Sequence, residues 1–180
     1  WADNNPPAVV SHPLKEGKNI EDLKVPCACK ARIPMAMDAT RQLRDQHPDM
    51  ALYGLITGPF TLALHLLGTD IFMQMMTEPE EVHKLMRFTT DVAKMMAVNY
   101  IEAGADVIAV VDPMTSQIDP MSFETFVSPY VKEVFDFVRE CDALSSFFVC
   151  GNAQQNIEVM CKTGPDNISI DENIPLAFVR

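Results

Sequence analysis

Residues 106–111, Asp-Val-Ile-Ala-Val-Val, lie between Gly104 and the turn pair Asp112-Pro113. A run this short, apolar and β-branched, closed by turn residues at both ends, reads as a strand buried on both faces, which is the habit of parallel sheets. Residues 51–57, ended by Gly58-Pro59, residues 144–150, ended by Gly151, and residues 167–170 read the same way, with helical periodicity between them. Alternation of this kind implies parallel strands joined by right-handed crossovers, hence a doubly wound sheet or a (β/α)8 barrel. A barrel takes about 250 residues. At 180 residues and about four strands, the chain would be part of one.

The helical segments carry their own punctuation. Met35, Ala39 and Leu43 recur at helical spacing and stop at Pro48, so a helix should end near Asp45. The run Phe60–Leu67 is too apolar for a surface helix, and Gly68 should end it before a short helix capped by Thr69. Thr77 with Glu80 has capping-box spacing, Pro79 suits a first turn, and Val82, Leu85, Met86, Thr89, Ala93, Met96 and Tyr100 share one face. Ser122 should cap a helix lined by Phe123, Phe126, Val127, Tyr130, Val131, Val134 and Val138 and kinked at Pro129. Asn152 should cap another that ends at Gly164, and residues 174–180 start a further helix. The proline-bearing residues 1–33 form an irregular entry, with a short helix near Ile20–Leu23, and 34–180 a partial barrel domain.

Composition excludes several partners. Fourteen Lys and Arg against 25 Asp and Glu leave a net charge of −11, no field for a phosphate backbone, so nucleic acid is not expected. Apolar runs fall short of the roughly 18 to 20 residues of a membrane span, and no charged-then-apolar leader opens the chain. A cytoplasmic protein is expected. Five scattered cysteines argue against structural disulfides, Cys27-Ala28-Cys29 lacks the C-x2-C spacing of most zinc sites, and the twelve methionines read as core filler. A start at Trp1 suggests chain upstream. A half barrel would expose strand edges, so the chain should pair with another copy, as a homodimer, or belong to a longer polypeptide.

In parallel α/β folds ligands sit beyond the carboxyl ends of the strands. Those ends read Thr57-Gly58-Pro59-Phe60-Thr61, Asp112-Pro113-Met114-Thr115-Ser116, Cys150-Gly151-Asn152 and Asp171-Glu172-Asn173. A thiol, several carboxylates and a glycine at each of two turns are expected to converge there on one pocket. Each also has a plainer reading, Asp112 as a turn cap, Asn152 as a helix cap, Cys150 as a small buried residue and His65 as a core histidine. If a helix N-terminus follows Cys150, a thiolate is favoured, either as a metal ligand or as a nucleophile. Common nucleotide, zinc-protease and serine-hydrolase motifs are absent from the sequence.

At these ends the sequence resembles the uroporphyrinogen decarboxylase superfamily, through Gly58-Pro59-Phe60-Thr61-Leu62-Ala63, Ala103-Gly104-Ala105-Asp106, Asp112-Pro113, Ser128-Pro129-Tyr130 and Cys150-Gly151-Asn152. The resemblance implies a (β/α)8 barrel and looks strongest to its cobamide-dependent methyltransferases, which move a methyl group between a corrinoid and a thiol on zinc. It implies Cys150 as metal ligand or thiol contact, Asp112, His65 and Ser116 as catalytic groups, and Gly58, Phe60, Thr61, Asn152 and Asp171 as substrate contacts. Its metal motif is His-x-Cys with a later Cys, whereas Phe148-Val149-Cys150 puts Phe148 at the histidine position. The resemblance further implies a small-molecule thiol as substrate and a corrinoid carried by a partner protein. Two alternatives share it: a metal-free carboxylyase acting on a tetrapyrrole, and a non-catalytic barrel partner of a corrinoid protein. Against the carboxylyase, the segment M-R-Q-A-G-R is absent, His65 stands at that branch's tyrosine and Pro113 at its serine.

Overall fold

A computed structural model describes residues 9–179. Four parallel strands, β1 (Tyr53–Thr57), β2 (Val107–Val111), β3 (Leu144–Val149) and β4 (Asn167–Ile170), pair in sequential order. A doubly wound sheet reverses its strand order and so carries helices on both faces; sequential right-handed crossovers carry them all on one. The arrangement is therefore that of a partial (β/α)8 barrel.

Side-chain direction agrees. On β1 a Cβ at Gly54 would lie 2.7 Å from the Tyr100 ring of α4 (Pro79–Glu102), so Gly54 and, by alternation, Ile56 face the helices. Tyr53, Leu55 and Leu144 point the other way and are exposed. β1 is therefore half-buried rather than the buried strand its composition suggests, because it is an edge strand with helix cover on one face. β2, between two neighbours, is buried over Val107–Val110 as expected. The core lies between sheet and helices: Ile56, Ile108, Val110, Phe147 and Val149 meet Val82, Leu85, Met86 and Ala93 of α4 and Val131, Val134, Phe135 and Val138 of α6 (Ser128–Glu140).

α1 (Ile33–Gln46) forms where expected but buries Met37, leaving Met35 and Leu43 exposed. α2 (Pro59–Leu67) ends at Gly68, whose φ of +79° is the left-handed conformation that glycine adopts without strain. Several caps differ from expectation. Gly68–Asp70 is a 3-10 turn and α3 (Ile71–Thr77) begins without a Thr69 cap. Since α3 runs through Thr77, the Thr77 hydroxyl donates back to Met73 O and is not available to α4, whose cap residue is Glu78. Asp119, rather than Ser122, caps α5 (Pro120–Phe126) by accepting from the amides of Met121 and Ser122. Pro129 does not kink one long helix; the chain breaks at Val127 and Pro129 sits in the first turn of α6.

After β3 the chain makes an irregular turn and a 3-10 turn (Gln154–Asn156) before α7 (Ile157–Lys162), so Asn152 caps no helix and no helix N-terminus adjoins Cys150. Residues 176–178 form a 3-10 turn where a further helix was expected. A short 3-10 helix at Ile20–Asp22 lies in the entry segment. Cys27 and Cys29 are joined in a disulfide, which corrects the expectation of none: two cysteines one residue apart meet through a local turn without any framework. Among the described residues no helix is long and apolar enough to cross a membrane.

Candidate functional site at the carboxyl ends of the strands

The ends of β1 and β2 interlock. Gly58 N–H donates to Val111 O at 2.8 Å and Asp112 N–H to Phe148 O at 3.0 Å, so the ladder continues one residue past each strand. α2 then begins with two amides in need of acceptors and, at its cap position, a glycine with no side chain to supply one. The acceptor comes from the neighbouring strand. Asp112 is completely buried; its Oδ2 accepts from Phe60 N–H at 3.1 Å, and its Oδ1 from Thr61 N–H at 2.7 Å and Thr61 Oγ1 at 2.6 Å. A Cβ at Gly58 would stand 2.3 Å from Asp112 Cβ and Cγ, so glycine is the residue that lets this carboxylate in. Burial pushes the Asp112 pKa up to about 6, against the opposing pull of the Thr61 hydroxyl and the two amides. Thr61 Oγ1 in turn accepts from Met114 N–H at 3.2 Å, tying down the loop after β2.

One helical turn beyond Thr61, His65 lines a cleft of about 290 Å³ with Leu55, Ile56, Thr57, Thr61, Val111 and Pro113. Its backbone carbonyl accepts from His12 Nδ1 at 2.9 Å. Burial, and secondarily the nearby His12, lower the His65 pKa and favour the neutral ring. Phe60 is wholly buried beside Phe72, its ring in the core rather than on this cleft.

The ends of β3 and β4 are looser. Cys150 is a half-buried free thiol. Gly151, at φ +78°, donates its N–H to Asp171 Oδ2 at 2.7 Å, and a Cβ there would meet only Ser116 Oγ, at 3.6 Å. Asp171 Oδ1 accepts from the backbone and side-chain nitrogens of Asn173, and these bonds, led by the Gly151 amide, hold its carboxyl below the usual range. Ser116 Oγ donates to Pro113 O at 2.8 Å and accepts from Gln117. Asn152 is exposed and has no side-chain hydrogen bond among the described residues. Cys150, Ser116 and Asp171 thus gather around one turn, while Gly58, Thr61, His65 and Asp112 gather around another. Thr57, Val111, Phe148 and Ser169 are register partners, a row across the open face linking the two.

Asn156 was not among the sequence candidates. It is fully buried, and its Nδ2 donates to Thr115 O and Ile118 O, both at 3.0 Å, joining the loop after β2 to the turn after β3. Its signal in the sequence is one more asparagine in Gln-Gln-Asn, and only the long-range contact distinguishes it. As for metal, among the described residues no group of three or more His, Cys, Asp or Glu could hold an ion. At the expected position Phe148 offers no donor atom, so the described residues do not by themselves make a zinc site.

The family model described as uroporphyrinogen decarboxylase (URO-D) matches residues 1–180. The chain belongs to this family. A methylcobamide:CoM methyltransferase, MtbA, from Methanosarcina acetivorans is 31% identical over 173 residues, covering 94% of this chain and 51% of the relative. A uroporphyrinogen decarboxylase from Anaeromyxobacter is 29% identical over 178 residues, covering 95% of this chain and 51% of the relative. Among solved structures, a methyltransferase from Methanosarcina mazei matches with a TM-score of 0.89 at 25% identity, over 99% of this chain and 55% of that one. The chain spans about half the length of these relatives.

Proposed function

We propose that the chain forms the strand-end face of a methyltransferase that moves a methyl group between a corrinoid, carried by a partner protein, and a small-molecule thiol. The observation that carries this reading is the free Cys150 thiol at the open end of β3, beside a turn at Gly151 that Asp171 pins and that Ser116 Oγ approaches. Support comes from relatives whose names specify methylcobamide and CoM. In this reading Cys150 contacts the acceptor thiol, and Ser116, Asn152 and Asp171 line its place. Gly58, Thr61 and Asp112 fix the start of α2 and so the direction in which His65 faces the cleft. The methyl group leaves the corrinoid without its bonding pair and forms an S–C bond with a sulfur lone pair, the thiol's proton passing to solvent. Since Phe148 stands beside Cys150 in place of a donor, no step is assigned to a metal.

The test is thiol methylation from methylcobalamin by the native-length protein, with 2-mercaptoethanesulfonate as acceptor and Cys150→Ser as the variant. Methylated thiol from the wild type, reduced at least about tenfold in the variant, supports the reading. Decarboxylation of a porphyrinogen without methyl transfer would replace it with the carboxylyase, and corrinoid-protein binding without either activity with the non-catalytic partner.

A further inference from the structure

Cys27 and Cys29 take no part in the proposed site at the strand ends, and the bond between them holds little together. It encloses a single residue, Ala28, and the entropy that a cross-link removes from the unfolded chain grows with the loop it closes. The turn is closed without it: Lys30 N–H donates to Cys27 O at 3.1 Å, and Ile33 N–H, at the start of α1, to Lys30 O at 3.3 Å. Pro26, just before the turn, lines a cleft with Leu62 and Leu66 of α2 and Phe88 and Val92 of α4, which sets the turn beside the helical layer. Both cysteines are exposed. An exposed disulfide is among the kinds that are readily reduced and exchanged.

The charge around this pair is the reverse of the chain's. Against a net charge of −11, residues 24–32 carry Lys24, Lys30 and Arg32 and no carboxylate. Among the described residues the ammonium groups of Lys24 and Lys30 have no ion-pair partner. Such a patch draws a small anion in preference to a neutral molecule of similar size. The Cys29 N–H also donates to Cys27 Sγ at 3.2 Å, where it would hold negative charge on that sulfur as it leaves. We propose that Cys27–Cys29 is a thiol–disulfide exchange site for an anionic low-molecular-weight thiol. A first thiolate attacks Cys29 Sγ and forms a mixed disulfide; the Cys27–Cys29 bond breaks, and Cys27 leaves with the electron pair and takes a proton from solvent. A second thiolate attacks the small thiol's sulfur in that mixed disulfide, so that the small disulfide departs and Cys29 becomes a thiol. Two small thiols are thereby oxidised by two electrons, the protein disulfide is reduced by two, and the two protons released match the two taken up. The site is separate from Cys150 and does not rest on the methyltransferase reading.

The test treats native-length protein, its pair oxidised, with 2-mercaptoethanesulfonate or with neutral 2-mercaptoethanol, alkylates the thiols formed, and weighs the peptide that carries residues 25–30. The pair should open at least about threefold faster, per thiolate, with the sulfonate. Salt at about 1 M should remove most of that lead by screening, and so should Lys30→Glu. Reduction should leave the denaturant unfolding midpoint unchanged, and so should replacing both cysteines by Ser, whereas a structural cross-link would lower it on loss. A pair that resists both thiols, opens equally with each, or lowers the midpoint on opening would overturn the inference. So would a pair that stays as two thiols in an excess of the sulfonate's own disulfide. The methyltransferase reading stands or falls on thiol methylation, which none of these measurements involves.

Discussion

The two pairs of strand ends use a glycine and an aspartate in opposite ways. At β1 and β2, Gly58 makes room for a completely buried Asp112, and the carboxylate meets three donors. At β3 and β4, Gly151 supplies a left-handed turn, and Asp171 reaches its amide from a half-exposed position. The first arrangement satisfies both oxygens of the buried carboxylate and holds a helix in place. The second leaves Cys150 and Asn152 without side-chain hydrogen bonds among the described residues. The difference teaches that polar residues at a strand end do not by themselves mark chemistry: burial and completed bonding mark a joint, while accessible, uncommitted groups leave room for the contacts proposed at the second pair.

Breaking that contrast begins with the glycines. Gly58→Ala should cost about 3 kcal/mol or more in denaturant unfolding, because Asp112 and the strand end behind it cannot move aside. Gly151→Ala, with only Ser116 Oγ nearby at ordinary contact distance, should cost about 1 to 2 kcal/mol, the strain of a positive φ. Equal losses would erase the distinction.

A pH series sharpens it. The Asp112 pKa of about 6 stands above the unfolded carboxyl value of 3.8, so between these values the folded state holds the proton that the unfolded state releases. This group's contribution is therefore fully present below about pH 4 and is lost as pH rises through 6, a change of about 3 kcal/mol. Asp171, whose pKa is lowered, has the opposite sign: its contribution is present at neutral pH and lost as pH falls through the folded value. The unfolding free energy of the wild type relative to that of Asp112→Asn should fall by about 3 kcal/mol as pH rises from 4 to 7, and a relative value that rose would contradict the assignment.

Smaller again is Thr61→Val, which removes one donor from the buried carboxylate and should cost about 1 to 3 kcal/mol in the same unfolding measurement. Cys150→Ser, in a half-buried position with no side-chain hydrogen bond to lose among the described residues, should change stability by less than about 1 kcal/mol.

Much of this frame is legible before any coordinates. The β-branched run of residues 106–111 and the helix-ending Gly68 point to β2 and α2 through local physics alone. The caps at Thr69, Thr77 and Ser122 mislead, since each depends on where the preceding segment stops, and α3 extends through Thr77. β1 reads as buried because composition does not reveal that it lies at an edge. At the site, Asp112, Cys150 and Asp171 stand out from their places after strands. The use of Asp112 to cap a helix 52 residues away, and of Asn156 to join two loops, depends on long-range contacts that no local pattern encodes.

The account's central claim is that the first pair of ends is a joint and the second the place of reaction. Methyl-transfer rate per folded molecule, measured side by side in Thr61→Val and Cys150→Ser of the native-length protein, tests it most directly. The account predicts that Thr61→Val keeps at least about half of the wild-type rate while losing stability, and that Cys150→Ser keeps its stability and loses at least about tenfold in rate. A Cys150→Ser protein that turns over like the wild type would contradict it.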